Sequence, residues 1–539
     1  MRINQKKLFD FISLLKNRSI LFFVSAIFLS TLFVLPTAAH AATKFWIGSA
    51  GGSFSTNANW SLSSGGSNSG ATAPGAGDIA TFDSGGVNNA ALDTTVSVAG
   101  IDIKSTYSGT ITQSAAAVLT VGASNFNMAG GNYNMGSAAA TFNGTFTLSG
   151  GTFTASSATT TFKNSFTTTG GTFVHNNGLV AFDFNLSTNY TIAASGVTFF
   201  DVTFDKTVIF TDSTIFIDQS FAVAGTMRVQ FQINGLNLNI TSRNSVNPMI
   251  SANNLEFPNT PTWSGILKLG SSVASDNLTI GVAGNFLMSD SQANVYANIV
   301  FNGTGAQTIN KSTGLINPSS LWSSTKASGS LTFQSYAYAD ATDKLTWSGG
   351  DVTLGASSPV FNQFLLSGGN FTASSATTTF QGDFTRTGGT FVHNNGTAAF
   401  NFSANTNYAI AASGVTFFDV TFDKTVIFTD STIFIDQSFA VAGTMRVLCE
   451  INGLNFNITS RNSVNPTISA GNLELTNTPS WSGLMKLGSS VATDNLTIGV
   501  AGNFLMSDSQ ANVYANIVFN GTGAQTINKS TGLINPSSL

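Results

Sequence analysis

The chain has 539 residues and a formal net charge of −4, and charged side chains make up only 9% of it, against roughly 25% in an average soluble protein. With 42% hydrophobic residues, disorder driven by charge is excluded. So sparse and mildly acidic a surface also excludes a nucleic-acid partner, whose binding rests on neutralising phosphates.

The first 41 residues stand apart. Arg2, Lys6, Lys7, Lys16 and Arg18 precede an uncharged run, ILFFVSAIFLSTLFVL, over 20–35. Pro36 ends the run, and Ala39-His40-Ala41 places small residues at −3 and −1 of a cut between Ala41 and Ala42. Basic, apolar and small-residue regions in that order specify a secretory signal peptide over 1–41. The alternative is an uncleaved amino-terminal membrane helix, although sixteen apolar residues are short for a span of about 20. Both readings put the rest of the chain outside the cytoplasm, secreted or at the cell surface, with membrane contact only through this segment.

Residues 42–119 carry FWIGSAGGSFSTNANWS and ATAPGAGDIATFDS. Trp46, Trp60 and Phe82 are large enough to cover the open first coil of a repeat array, so this segment is expected to be an amino-terminal cap. The functional alternative makes Trp46 and Trp60 an exposed carbohydrate-binding platform.

From residue 120 a period of 20 governs the chain. NFNMAGGNYNMGSAAA from Asn125, TFTLSGGTFTASSATT from Thr145 and SFTTTGGTFVHNNGLV from Ser165 align in columns. Phe126, Phe146 and Phe166 share one column, Tyr133, Phe153 and Phe173 another, and Phe142, Phe162 and Phe182 a third. Gly131, Gly151 and Gly171 share a fourth, suited to a turn with positive φ. Short alternating strands broken by Gly-Gly at a fixed period mean stacked units. The predicted fold is all-β: a parallel β-helix with coils of about 20 residues, stacked at the strand spacing of about 4.8 Å. Each apolar column becomes an internal ladder. If all of the exported chain took part, about 25 such coils would make a rod on the order of 120 Å. Right-handed winding is favoured by analogy with other β-helices.

Between 197 and 240 the alternation continues with less regular spacing, and four aspartates, Asp201, Asp205, Asp212 and Asp218, fall close together. They recur as Asp419, Asp423, Asp430 and Asp436. Asp201 and Asp205 share strand parity and so one face. A carboxyl pair at glycosidase spacing could cleave a polysaccharide, which makes Asp201, Asp205, Asp419 and Asp423 the candidate catalytic residues. Carboxylate oxygens also suit calcium, the one cofactor the sequence brings into view. The glycine-rich nonapeptide of calcium-roll proteins is absent. Only Lys206, with Arg228 further on, could hold an acidic substrate, so solvated aspartates that discourage edge pairing are the preferred reading.

A second relationship spans 218 residues. Residues 148–321 match 366–539 without a gap, with a spacer at 322–365. His175 and His393 are the same turn position in the two copies, each followed by Asn-Asn, and neither stands at metal-ligand spacing from a Cys or carboxylate. No metal site is predicted. The single cysteine, Cys449, stands where the first copy has Phe231 and reads as a small buried hydrophobe. The first copy runs on into LWSSTKASGSLTF whereas the second stops at Leu539. A longer natural protein is therefore expected, as is self-association through an uncapped final coil.

WIGSAGGSF, NANWS, PGAGDIATFDS, YSGTITQ, GGTFVHNNG and IVFNGTGAQTIN together resemble the repeat-rich, signal-bearing surface proteins of bacteria. These are similar to adhesins with autotransporter-type or filamentous-haemagglutinin-type β-helical passengers. The resemblance covers nearly all of the exported chain and implies a secreted or surface-attached β-solenoid with surface glycans or other cell-surface proteins as partners. The carboxy-terminal barrel of an autotransporter is not in this sequence. The expected function is a non-catalytic adhesin, stalk or envelope component. The alternatives are a polysaccharide lyase or glycoside hydrolase on the same scaffold, and a carbohydrate-binding surface protein.

Overall fold

A computed structural model describes residues 42–184, 189–205, 213–230, 237–258, 265–337, 343–401, 407–423, 431–448, 455–476 and 483–535. The predicted signal peptide or membrane helix, with Ala41, lies outside the described residues, as do Asp212, Asp430 and Cys449. Ala42 opens the first strand, Ala42–Trp46.

The protein is an elongated all-β parallel solenoid. In the regular part each coil contributes three short strands, one to each of three faces. Face A takes Phe126–Met128, Phe146–Leu148 and Phe166–Thr168, paired in parallel with Phe126 opposite Phe146 and Phe146 opposite Phe166. Face B takes Asn132–Asn134, Thr152–Thr154 and Thr172–Val174. Face C takes Ala140–Phe142, Thr159–Phe162 and Leu179–Asp183. Among the described residues the only helical segments are three short 3-10 turns, Asn57–Asn59, Ala274–Asp276 and Ala492–Asp494, and no helix is long and apolar enough to cross a membrane.

The sequence columns are the interior ladders. The Phe126 and Phe146 rings lie 4.9 Å apart and the Phe146 and Phe166 rings 5.1 Å apart, each pair 1° from coplanar. Tyr133 stacks on Phe153 at 5.5 Å and Phe142 on Phe162 at 5.2 Å. Within a coil the rings meet edge to face: Phe146 lies 4.9 Å from Phe153 at 75°. Parallel pairing sets the vertical stacking, and the triangular section sets the edge contacts that aromatic quadrupoles favour. Gly151 holds φ +73, and a Cβ there would sit 2.4 Å from the Gly131 carbonyl oxygen of the coil below. Glycine is needed at this corner for both its conformation and its lack of bulk.

The uniform 20-residue coil does not persist. Along face A, Phe166 pairs with Ile192, Tyr190 with Ile215, and Leu238 with Leu267. Coils average about 23 residues and number about 17, fewer than 25 uniform coils. Two of the longer coils contain lengthened strands, Phe221–Val229 and Met249–Phe257. Each of these bridges two strands of a neighbouring coil, so faces B and C merge into one continuous sheet.

Stacking crosses residue 119 without a break. Ile79–Phe82 pairs with Gly100–Ile103, and Ile101–Ile103 with Phe126–Met128. The segment 42–119 therefore differs in repeat regularity while sharing the solenoid. Its first strand, Ala42–Trp46, pairs in parallel with Asp78–Phe82 on one side and antiparallel with Trp60–Ser61 on the other. This antiparallel strand covers the edge of the parallel sheet at Phe45 and Trp46.

The two copies do not repeat face for face. Hydrogen-bonded partners lead from Leu179–Asp183 on face C through Asp201–Asp205, the second halves of Phe221–Val229 and Met249–Phe257, and Phe286–Met288 to Gln307–Lys311. The line goes on through Leu331–Tyr336 and Asp351–Thr353 to Asn370–Thr372. Asn370–Thr372 is the counterpart of Thr152–Thr154, a face B strand. A parallel line from Thr198–Phe199 on face B ends at Gln363–Leu366, whose last three residues match Phe146–Leu148 of face A. The 218-residue unit is thus not a whole number of coils, and equivalent residues of the two copies occupy different faces.

Candidate functional site

The aspartates close in sequence part company in space. Asp201 opens a face C strand and is half-buried. Its Oδ1 accepts the Thr226 N–H at 2.6 Å, where the pairing of Phe221–Val229 slips between Val223 and Thr226. Asp419 does the same for Thr444 at 2.7 Å. This carboxylate satisfies a backbone donor that the bulge takes out of the ladder. Asp205 and Asp423 end their strands opposite Asp183 and Asn401 in the backbone register.

Asp218 belongs to a different sheet, just after Ser213–Ile217 on face A. Its carboxylate takes two bonds from Arg243, Nε at 3.0 Å and Nη2 at 2.6 Å, and the guanidinium lies 4.4 Å from the centre of the Phe216 ring. Asp436, Arg461 and Phe434 repeat the arrangement. Asp201 and Asp218 of the predicted quartet are therefore a bulge clamp and a bidentate ion pair in different sheets, as are Asp419 and Asp436. Among the described residues no group of three or more His, Cys, Asp or Glu side chains is placed to hold a metal ion.

Trp46 and Trp60 are both 0% exposed, so an exposed aromatic platform is not formed by these two residues. Their rings meet edge to face at 5.3 Å, and Trp60 packs against Phe54 and Phe82. Each indole N–H is satisfied internally, Trp46 by the Asn88 carbonyl at 3.0 Å and Trp60 by that of Phe54 at 2.8 Å. Lys44 pairs with Asp78 at 2.8 Å beside them. Burial raises the Asp78 carboxyl, but the Gly75 N–H and Lys44 outweigh it and hold the group below its ordinary value. His175 and His393 accept the N–H of Asn177 and Asn395 at 3.0 Å through Nδ1, and their rings pack on Phe200 and Phe418.

The spacer holds features that motif reading did not reveal. Lys311 of the first copy pairs with Asp343 of the spacer at 2.8 Å, with side chains 0% and 1% exposed. The ammonium also donates to the Ala337 carbonyl and sits 4.7 Å from the centre of the Tyr336 ring. The Tyr336 hydroxyl donates to Asp343 Oδ1 at 3.3 Å. Burial, and then the Asp343 charge, push the Tyr336 hydroxyl far above its ordinary value.

A groove of about 670 Å³ runs over the outer face of the spacer and the start of the second copy. Its floor is the strands Asp351–Thr353, Asn370–Thr372 and Thr390–Val392, whose central residues Val352, Phe371 and Phe391 point inward. The flanking residues form two outward rows, one with Asp351, Asn370 and Thr390 and the other with Thr353, Thr372 and Val392. The segment from Ser324 to Leu331 walls it.

No family model, curated protein or solved structure matches this chain. The resemblance to β-helical surface proteins therefore stands for architecture. Among the described residues the stack turns outward hydroxyls, amides, a few paired charges and scattered apolar side chains such as Val174, Val273 and Val392. Such a surface makes hydrogen bonds repeated at coil spacing.

Proposed function

We propose that the chain is an exported, non-catalytic rod that works at the cell surface as an adhesin, stalk or envelope component. The observation that carries this reading is the unbroken stack through the spacer. Asn298–Phe301 pairs with Leu321–Ser324, that strand with Lys344–Gly349, and that one with Gln363–Leu366 of the second copy. A second unit has thus been added without interrupting the ladder of backbone bonds. Adding coils to a solenoid extends its reach and leaves the local energetics of each coil nearly unchanged, because each contacts only its neighbours. Such a fold suits a spacer whose useful property is length.

The test is cellular. The full chain and a version lacking 148–365, which rejoins the array at the matching position, are expressed in a host that displays the protein. Surface exposure is read by protease accessibility and attachment by retention on host cells or surface material. The reading expects both forms at the surface, with weaker attachment for the shorter rod. A protein confined to the cytoplasm, or one that turns over polysaccharide and loses turnover in Asp201→Asn with Asp419→Asn, overturns it.

A further inference from the structure

Resting on the attachment reading above, we infer that the groove at the junction of the two copies binds an extended, uncharged oligosaccharide lying along the rod. Its volume of about 670 Å³ is that of a small-molecule site, and three features of its lining select the ligand.

The first is charge. Lys326 and Asp351 are the only charged side chains in the lining. The Lys326 ammonium is committed to the carbonyls of Gly303 and Gly305 and to Gln307 Oε1, each at 2.7 Å, and has no fourth donor. Asp351 accepts from Asn370 Nδ2 at 2.7 Å. No free cation remains to draw in an acidic polymer, and one carboxylate is too little for a basic one.

The second is the backbone. A peptide adds to a sheet through an unpaired edge. Here Asp351–Thr353 and Asn370–Thr372, the strands that carry the polar rows, are each paired on both sides, and Thr390–Val392 pairs with Asn370–Thr372 on the side facing the groove. The floor offers the hydroxyls of Thr353 and Thr372 and the Asn370 amide beside the exposed Val392, and hydroxyls and an amide next to an apolar surface suit a polyhydroxylated ligand.

The third is repetition. Thr353 lies opposite Thr372, and Asp351 opposite Asn370, one rung per coil at about 4.8 Å. A polymer running along the rod meets similar groups at successive rungs. Ser328 and Ser330 line the wall, with the Ser328 hydroxyl donating to the Thr304 carbonyl at 3.0 Å, and this wall is drawn from the spacer, outside the duplicated sequence.

The experiment titrates the purified exported chain, 42–539, with cellohexaose, mannohexaose, N-acetylchitohexaose and hexagalacturonate by calorimetry. At least one neutral hexasaccharide is expected to bind. Asn370→Leu with Thr372→Leu should weaken it at least about tenfold, and Ser328→Trp, which fills the groove from its wall, should do the same without touching the floor. Thr152→Leu with Thr154→Leu, the equivalent floor positions of the first copy, should leave binding unchanged. The inference is overturned if no neutral hexasaccharide binds, if hexagalacturonate binds tightest, if the first-copy variant loses as much, or if Ser328→Trp binds normally. Attachment to cells that persists without hexasaccharide binding would remove the groove assignment and leave the rod reading intact. A chain that binds the sugar but remains cytoplasmic would do the reverse.

Discussion

Lys311 and Asp343 lie 32 residues apart and form an ion pair at 2.8 Å that water does not reach. One partner closes the first copy and the other belongs to the spacer, so the contact exists only where these two segments stack. Removing one partner of a buried pair leaves an uncompensated charge and typically costs about 3–5 kcal/mol, whereas an apolar pair of similar volume is often tolerated. Lys311→Met is therefore expected to lower the unfolding midpoint sharply in denaturant titration. Lys311→Met with Asp343→Leu should recover most of the loss. Equal losses in the single and double variants would mean that the charges contribute by shape alone.

The interior ladder makes a sharper contrast. Phe146 is fully buried and stacks on Phe126 below and Phe166 above, while its neighbour Thr147 faces outward, half-buried. Phe146→Ala should destabilise by about 3–5 kcal/mol, and Thr147→Ala by less than about 0.5 kcal/mol. Thermal unfolding followed by circular dichroism separates the two. Comparable effects from both would mean that the column is not the core.

These ladders were legible in the sequence because Phe126, Phe146 and Phe166 recur at a fixed period beside Gly-Gly. A constant period constrains register as strongly as any pairing. The aspartates read as one cluster because they are near along the chain, whereas Asp201 and Asp218 belong to separate sheets. Trp46 and Trp60 were legible as large rings near the start but not as inward or outward, since both orientations suit a cap. The Lys311–Asp343 pair and the groove lay beyond reach because coil lengths in the spacer vary, and no period then predicts which residue lies over which. The same irregularity hid the shift of faces between copies.

Asp201 supplies a test that distinguishes a clamp from a catalyst. Its Oδ1 holds the Thr226 N–H at the bulge, and an asparagine oxygen can do the same. Asp201→Asn should be nearly neutral for stability, and Asp201→Ala should cost about 1–2 kcal/mol by stranding the donor. Asp419 and Thr444 should behave alike. A loss in Asp201→Asn as large as in Asp201→Ala would show that the negative charge itself matters, as a chemical role for the carboxylate requires.

Asp78 and Asp508 should respond to pH in opposite directions. The Asp78 carboxyl sits below its ordinary value, so its contribution is present above the ordinary carboxylate pKa and is lost as pH falls through its lowered value. Asp508 is buried, with the Gln510 N–H 2.8 Å from Oδ1. Burial raises its carboxyl, and the Gln510 bond offsets only part of that. Between the ordinary and the raised value the folded chain holds a proton that the unfolded chain has released, so stability falls as pH rises across that window and is then level. Asp508→Asn removes the cost of the buried charge while keeping an oxygen for Gln510. It should raise the melting temperature near neutral pH and change little below the ordinary carboxylate range. Asp78→Asn should lower the melting temperature near neutral pH and lose that effect in acid. Melting curves of the three proteins over a pH series decide the matter, and a lower neutral-pH melting temperature for Asp508→Asn would show that its charge is stabilised by partners stronger than Gln510.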